Sequence, residues 1–452
     1  MKRKIGGIVN KRRFLAVALV LMVSAGVVFV GRMSVPSVSA DDERYEKLRV
    51  FTEVISVVER NYVEETDAKE LIYSAIKGMV SSLDPHSTFM SPDDYKEMQV
   101  DTRGEFGGLG IQISIRDGIL TIIAPIEDTP AWRAGLKASD KIVMIEGEST
   151  KDMTIHDAVS KMRGPKGTDI TISVIREGWE KPRDFTITRD IIKIKSVKSK
   201  VLEEDIGYVK ITQFQQRTAS DLEKALGKLE KEGIAALIVD LRNNPGGLLH
   251  SAVDVSSKFL PSDRLVVYIK GRDGDKTEYH TSGKGTAFQE MPMVVLVNPG
   301  SASASEIVAG ALKDWRRAMV LGEQTFGKGS VQTVVPLSDG SGLRITTAKY
   351  YTPKGTSIQS TGITPDITVK LSASEGQKAH RVVREKDLEG HLGNDQAKDA
   401  EGGDGPETET SVFRPLSEEE DNQLQRAVDL LKTWTIFKGI EESPAEDVPA
   451  NP

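Results

Sequence analysis

VVLVNPGSASASEIVAGALKD, residues Val294 to Asp314, joins an unbroken apolar run to a Pro-Gly turn and then to a helical period. Val294 to Val297 read as a strand buried on both faces, where continuous apolar residues replace alternation. Asn298, Pro299 and Gly300 end it in a tight turn, and a helix is predicted to begin near Ser303 to Ser305. A serine on that corner would project into a cleft beside the backbone N–H groups that a helix start leaves without partners. Such amides suit a developing oxyanion. The arrangement has the logic of a nucleophile elbow, although Gly-x-Ser-x-Gly is absent. Capping the helix is the other use for these serines, and spacing alone does not separate Ser301, Ser303 and Ser305.

An attacking serine needs a base. The chain has no cysteine, which excludes disulfides, thiolate metal sites and a cysteine nucleophile together. Its six histidines are scattered without His-Glu-x-x-His or paired spacing, so no zinc ligand set is visible. Lys328 stands out in Phe326-Gly327-Lys328-Gly329, because glycines on both sides permit close approach of other groups. An ordinary lysine pKa is about 10.4, and burial can lower it by roughly 3 to 5 units. Ile307, Val308, Ala311 and Leu312 on the helix, with Met319, Val320 and Leu321 on the next strand, offer apolar surroundings. A neutral Lys328 could then take the serine proton. Gln332, four residues on, could hold the amine without adding charge. A third element, Val239 to Gly247, sets a glycine turn after another strand, where a bare N–H could point into the same cleft or serve only a turn.

Working outward, strands and helices alternate from Gly207 to Gly322: Gly207–Ile211, Ala219–Glu232, Ala236–Asp240, Leu249–Phe259, Met293–Val297, Ser305–Trp315 and Ala318–Gly322. That alternation predicts an α/β layer fold. Upstream, short β-runs at 110–115, 120–123, 141–145, 169–176 and 183–188, interrupted by a helix at 154–163, predict a small, mostly β module. From Arg44 to Leu83 two amphipathic helices are expected, parted near Glu64 to Asp67. Lys2 to Arg13 precede an apolar run from Phe14 to Val30 and a small-residue site at Val38-Ser39-Ala40, a leader that is either cleaved or kept as an anchor. Both place the rest of the chain outside the cytoplasm, in the periplasm or on the outer face of the membrane. Residues 395–410 are acidic and nearly free of large apolar side chains, which predicts a flexible linker. A last helix is expected from Ser417, capped with Glu420, its apolar face being Leu424, Ala427, Val428, Leu431 and Trp434, and self-association is the occupant favoured for that face. The resulting divisions are 1–40 leader, 41–100 helical segment, 101–190 β module, 191–372 α/β core, 373–415 linker and 416–452 terminal helix. A net charge of -7, with no basic block after the leader, argues against nucleic acid as a partner.

The ordered stretches LDPHSTFMSPDDY (83–95), GEFGGLGIQI (104–113), TPAWRAG (129–135), RGPKGT (163–168), DLRNNPGG (240–247), GSASASEI (300–307), FGKGSVQ (326–332), YYTPKG (350–355) and GITPD (362–366) resemble those of the carboxyl-terminal processing peptidases, or tail-specific proteases. The resemblance implies a layered, ClpP/crotonase-like α/β serine peptidase core with an inserted PDZ domain. It implies Ser303 as nucleophile, Lys328 as base, Gln332 as third member, and the amides of Gly247 and Ala304 as oxyanion hole. In the PDZ domain it implies that Gly107, Gly108, Leu109 and Gly110 capture a terminal carboxylate, the peptide adding as a strand beside Ile111. Arg163 matches a position implicated in gating; a solvent-facing arginine is the plain alternative. Neither metal nor cofactor is implied. The expected partners are exported proteins with exposed carboxyl tails, an activator or adaptor protein, and further copies of the chain. A non-catalytic PDZ adaptor on the outer membrane face is the alternative function.

Overall fold

Every residue of the strand Met293–Val297 is buried, as its unbroken apolar run requires. The computed structural model describes residues 39–283, 287–372, 383–396 and 420–442. The leader up to Val38, and Ser417, lie outside them. The described residues form two compact units that divide between Ile76 and Lys77. In the first, the helix Ser39–Asn61 leaves Leu48, Phe51 and Val54 exposed.

The second unit is built on a six-stranded sheet in the order Val197–Val201, Ile206–Ile211, Ala236–Asp240, Met293–Val297, Met319–Gly322 and Ile367–Thr368. All pairs from Ile206 onward are parallel, and only the first is antiparallel. Side chains along a strand alternate between faces. Leu237 and Val239 accordingly enter the core shared with helices Thr218–Lys231, Leu249–Ser256 and Ala304–Asp314, through Leu226, Ala252 and Val308. Ala236 and Ile238 face the opposite side, where Val294, Leu296 and Leu321 join them.

That second face is covered by the terminal helix Asn422–Glu442, whose Leu424, Ala427, Val428 and Leu431 are buried against it. The expected self-association of this face is thereby corrected: the chain's own sheet takes four of the five residues, and Trp434 alone stays exposed. The helix starts later than the Ser417 cap implied, with the Asp421 carboxylate accepting from the Leu424 N–H. Asp421 also receives two hydrogen bonds from Arg242, at 2.8 and 2.7 Å, while the same guanidinium grips Asp240 at the end of its strand. Asp421→Asn should therefore cost about 2 kcal/mol by weakening charged hydrogen bonds in a nearly dry site. Thermal melting should fall by about 2–3 °C; an unchanged melting temperature would show that the helix docks by its apolar face alone.

A second sheet was not legible as a unit in the sequence. It orders Thr88–Met90, Gly342–Tyr351, Leu265–Gly271 and Lys276–His280, with Ser330–Pro336 also paired to Gly342–Tyr351. The β module has its own core around Ile122, Ile142, Ile172 and Val174. Its strands run in the order Ile111–Arg116, Ile119–Pro125, Lys141–Ile145, Asp169–Ile175 and Arg183–Thr188. Strands Glu105–Gly108 and Asp190–Lys193 pair antiparallel where the chain enters and leaves it, which is how an inserted module joins its host.

One reading is corrected within the expected linker. Residues 383–396 are hydrogen-bonded along the core, through Glu385, Leu392, Gly393 and Asp395 among others. Low apolar content led to the linker reading, but polar groups hold this stretch in place.

Candidate active site

In parallel sheets the loops at the carboxyl ends of the strands form the crevice. Here two such loops interlock. Ala302 N–H donates to the Asn244 carbonyl at 3.0 Å, Asn243 N–H to Asn298 Oδ1 at 2.9 Å, and Asn298 Nδ2 to Asn243 Oδ1 at 2.7 Å. Ser301 Oγ donates to the Leu241 carbonyl and Ser305 Oγ to the Asn244 carbonyl, both at 2.8 Å and both with no exposure. Two of the three serines are thus structural ties.

Ser303 is not tied in this way. Its backbone stands at φ 55, ψ −114, a conformation that costs a side-chain-bearing residue about 1–3 kcal/mol and persists only where its surroundings impose it. The glycine loop presses against it: a Cβ on Gly246 would lie 2.8 Å from Ser303 Cβ and 2.9 Å from the Ala304 nitrogen. Gly247, at φ 141, could bear no Cβ either, since one would stand 2.1 Å from the Phe214 carbonyl oxygen. The N–H groups of Gly247 and Ala304 donate to no group among the described residues. Tyr350 adds a fully buried hydroxyl that is turned toward Ser303 without a formed hydrogen bond.

The lysine loop is joined to this corner by a residue that the sequence reading passed over. Glu306, completely buried one turn into the helix, accepts from Ser303 N–H at 2.7 Å, Gly327 N–H at 2.7 Å, Lys328 N–H at 3.0 Å and the Thr325 hydroxyl at 2.5 Å. Burial pushes its carboxyl up to about 7 against the pull of those donors. The one signal for it was an acid three residues after Ser303, directly ahead of the apolar run Ile307 to Leu312. Phe326 N–H, donating to the Ser301 carbonyl at 3.0 Å, ties the loop a second time.

Lys328 is held below the ordinary lysine range, first by burial and then by Arg344, while Glu385, Asp84 and Glu306 oppose the shift. Of the residues expected to surround it, one is turned away. Met319 points outward, 41% exposed, and the groups that act on the amine are charged. Lys328 and Ser303 make no side-chain hydrogen bond to each other, and Gln332 does not hold the amine. A bulge between Val331 and Gln332 redirects the side chain, and Gln332 Nε2 donates to Ser330 Oγ at 3.0 Å and Thr346 Oγ1 at 3.2 Å.

In the β module, Ile111–Arg116 lies at the sheet edge, beside the helix Ile155–Met162. An open edge strand offers main-chain groups to an extended peptide. Gly107 and Gly108 prove to be strand, paired with Ile191 and Asp190, so the turn into the edge is made by Leu109 and Gly110. Leu109 is buried in the module's core. Gly110, at φ 79, leaves no room for a Cβ, which would lie 2.3 Å from Thr129 Cβ. Arg163 is neither free nor fully solvent-facing: its guanidinium lies 4.8 Å over the Phe106 ring and 3.8 Å from Glu97. With His156 and Gly164 it lines a cavity of about 260 Å³.

A family model described as Peptidase family S41 matches residues 205–369, a PDZ domain matches 121–176, and the N-terminal domain of the activating protease CtpB matches 28–94. Together they define a PDZ-bearing peptidase. The carboxy-terminal-processing protease of Bartonella bacilliformis is 43% identical over 403 residues, 88% of this chain and 91% of the relative. The carboxyl-terminal-processing protease of Synechocystis sp. is 37% identical over 384 residues, 79% and 88%. Among solved structures, the photosystem II D1 C-terminal processing protease is 31% identical with a TM-score of 0.42, covering 71% of this chain and 92% of that one. The chain belongs to the carboxyl-terminal processing proteases of peptidase family S41. It is a serine protease with a PDZ domain, acting on protein substrates.

Proposed function

We propose that the chain cleaves exported proteins near their carboxyl ends through an acyl-enzyme. Ser303 attacks, a neutral Lys328 takes its proton and later delivers one to the leaving amine, and the Gly247 and Ala304 amides stabilise the tetrahedral oxyanion. The carrying observation is the strained Ser303 corner, bonded through one buried carboxylate to the lysine loop and flanked by two unengaged amides. Gln332 joins by turning from Thr346 to the amine when substrate is bound. The substrate's terminal carboxylate is taken at the turn of Leu109 and Gly110, its chain lying along Ile111.

The leader supports export, to the periplasm or the outer face of the membrane. No helix among the described residues is long and apolar enough to cross a membrane. The exposed Trp434, Ile436 and Phe437 support a contact between copies. Arg163, stacked between the module and Glu97, is the candidate through which substrate or an activator protein gates the site.

Matched peptides with a free or an amidated carboxyl end test the substrate reading. The free form should be cleaved at least about tenfold faster, the value of a charged hydrogen bond lost. Equal rates would remove terminal recognition. Labelling by a serine-reactive phosphonate, with and without envelope extract, separates an enzyme awaiting an activator from an inert binder.

A further inference from the structure

The segment 383–396 lies beyond the residues matched by the peptidase family, yet it carries a carboxylate with no exposure into the neighbourhood of Lys328. Glu385 N–H donates to the Phe326 carbonyl at 3.2 Å, two residues before Lys328. Its Oε1 accepts from Gln359 Nε2 at 2.9 Å, and Gln359 Oε1 in turn accepts from Gly329 N–H at 2.9 Å, one residue after Lys328. The lysine loop is therefore held on one side by Glu385 directly and on the other through Gln359. Approach is close: a Cβ on Gly329 would lie 2.3 Å from the Gln359 nitrogen. The other side of the carboxylate meets His86, whose Nε2 is 2.8 Å from Oε2 and 3.0 Å from Oε1. His86 is itself fixed by its N–H to Asp84 Oδ1 at 2.8 Å and by Arg344 Nε to its carbonyl at 3.2 Å. Further along, the Leu392 carbonyl accepts from Gln359 and Ser360, and Asp395 from the Tyr351 hydroxyl at 2.6 Å.

We propose that Glu385 is a positioning residue for the protease: paired with His86, it clamps the Phe326–Gly329 loop from outside the peptidase core and sets the charge that faces the Lys328 amine. The inference rests on Lys328 being the base. Three carboxylates, Glu385, Asp84 and Glu306, favour the protonated amine, and Arg344 opposes them. Glu385 differs from the other two in lying outside every matched region and in having its carboxylate paired with an imidazole.

The signs follow from the proton count. Activity requires neutral Lys328, so the rate rises with pH along an acid limb. Removing the Glu385 charge makes the neutral amine easier to form, and the limb moves to lower pH. Removing His86 leaves the carboxylate less compensated, and the limb moves to higher pH.

The test measures kcat and KM across pH on the full chain with a fluorogenic peptide, for wild type, Glu385→Gln, Glu385→Ala, His86→Asn and Lys328→Ala. Glu385→Gln should retain about threefold more of its plateau rate than wild type below the wild-type midpoint. His86→Asn should retain about threefold less. Glu385→Ala, which also loosens the loop, should lose about tenfold in kcat with KM nearly unchanged. A purely structural tie would not move the limb in opposite directions for the two partners. Coincident limbs in Glu385→Gln, His86→Asn and wild type overturn the proposal, even if Glu385→Ala fails to fold. If Lys328→Ala is inactive while the others titrate as wild type, only this inference falls. If Lys328→Ala is active, the serine-lysine reading falls with it.

Discussion

Lys328→Ala should lose at least about a thousandfold in kcat and yet be more stable than the wild type. The first effect follows, on the proposed mechanism, from removing the base that takes the Ser303 proton and returns it to the leaving amine. The second follows from the same environment. Burial holds the amine's pKa below the ordinary 10.5, with Arg344 adding to the shift. A lysine whose folded pKa is depressed binds its proton more weakly in the folded state, so below that pKa it destabilises the protein, and the penalty disappears as pH rises through the window up to 10.5. Alanine removes the penalty at neutral pH. Peptide hydrolysis and chemical denaturation, read side by side, check both signs. An active variant would exclude Lys328 as base, and a less stable one would show the amine to be a structural donor.

Ser303→Ala should be equally inactive and lose phosphonate labelling, while keeping the strained backbone at φ 55. Ser303→Gly, free of that strain, should be about 1 kcal/mol more stable than the alanine variant. The serine corner and the lysine loop thus share a property: each is less comfortable than the fold alone would make it. Such a cost is usual where chemistry needs a group held away from its resting preference.

The layered core was readable because its strands are apolar on both faces and its helices follow a sharp period, and Ala236–Asp240 and Met293–Val297 came out with their observed limits. The second sheet was not, because Gly342–Tyr351 mixes Thr, Lys and Arg with apolar residues and takes its register from three separate partners. Within the site, the serine trio was legible as a trio only. What singles out Ser303 is that Ser301 and Ser305 bond to the Leu241 and Asn244 carbonyls, about sixty residues away in the chain. Glu306, His86 and Glu385 went unread for the same reason. A carboxylate's role depends on which donors reach it, and Glu385 meets His86 across 299 positions of sequence. The terminal helix shows the limit from the other side: an amphipathic face tells that something covers it, not which surface does.

Glu306 should be the residue whose loss does most damage to the site as a whole. Glu306→Ala leaves three backbone N–H groups and the Thr325 hydroxyl without an acceptor in a dry interior. At 1–3 kcal/mol for each orphaned group, roughly 5 kcal/mol is expected, together with complete loss of hydrolysis. Glu306→Gln is milder, near 2 kcal/mol. Its amide nitrogen can take the Oε1 position, where the Thr325 hydroxyl can turn to accept but Gly327 N–H loses its acceptor, and its oxygen can keep Ser303 and Lys328. The two proteins should also differ in pH dependence. With a folded pKa of about 7 against an ordinary 4.5, Glu306 holds its proton more tightly when folded. The stability this contributes, roughly 3 kcal/mol, is complete below about pH 4.5 and is lost as pH rises through 7. Glutamine has no such slope, so the gap between wild type and Glu306→Gln should narrow between pH 5 and pH 8 in urea denaturation. A gap that widens instead would mean that four donors outweigh burial and keep the carboxylate ionised throughout.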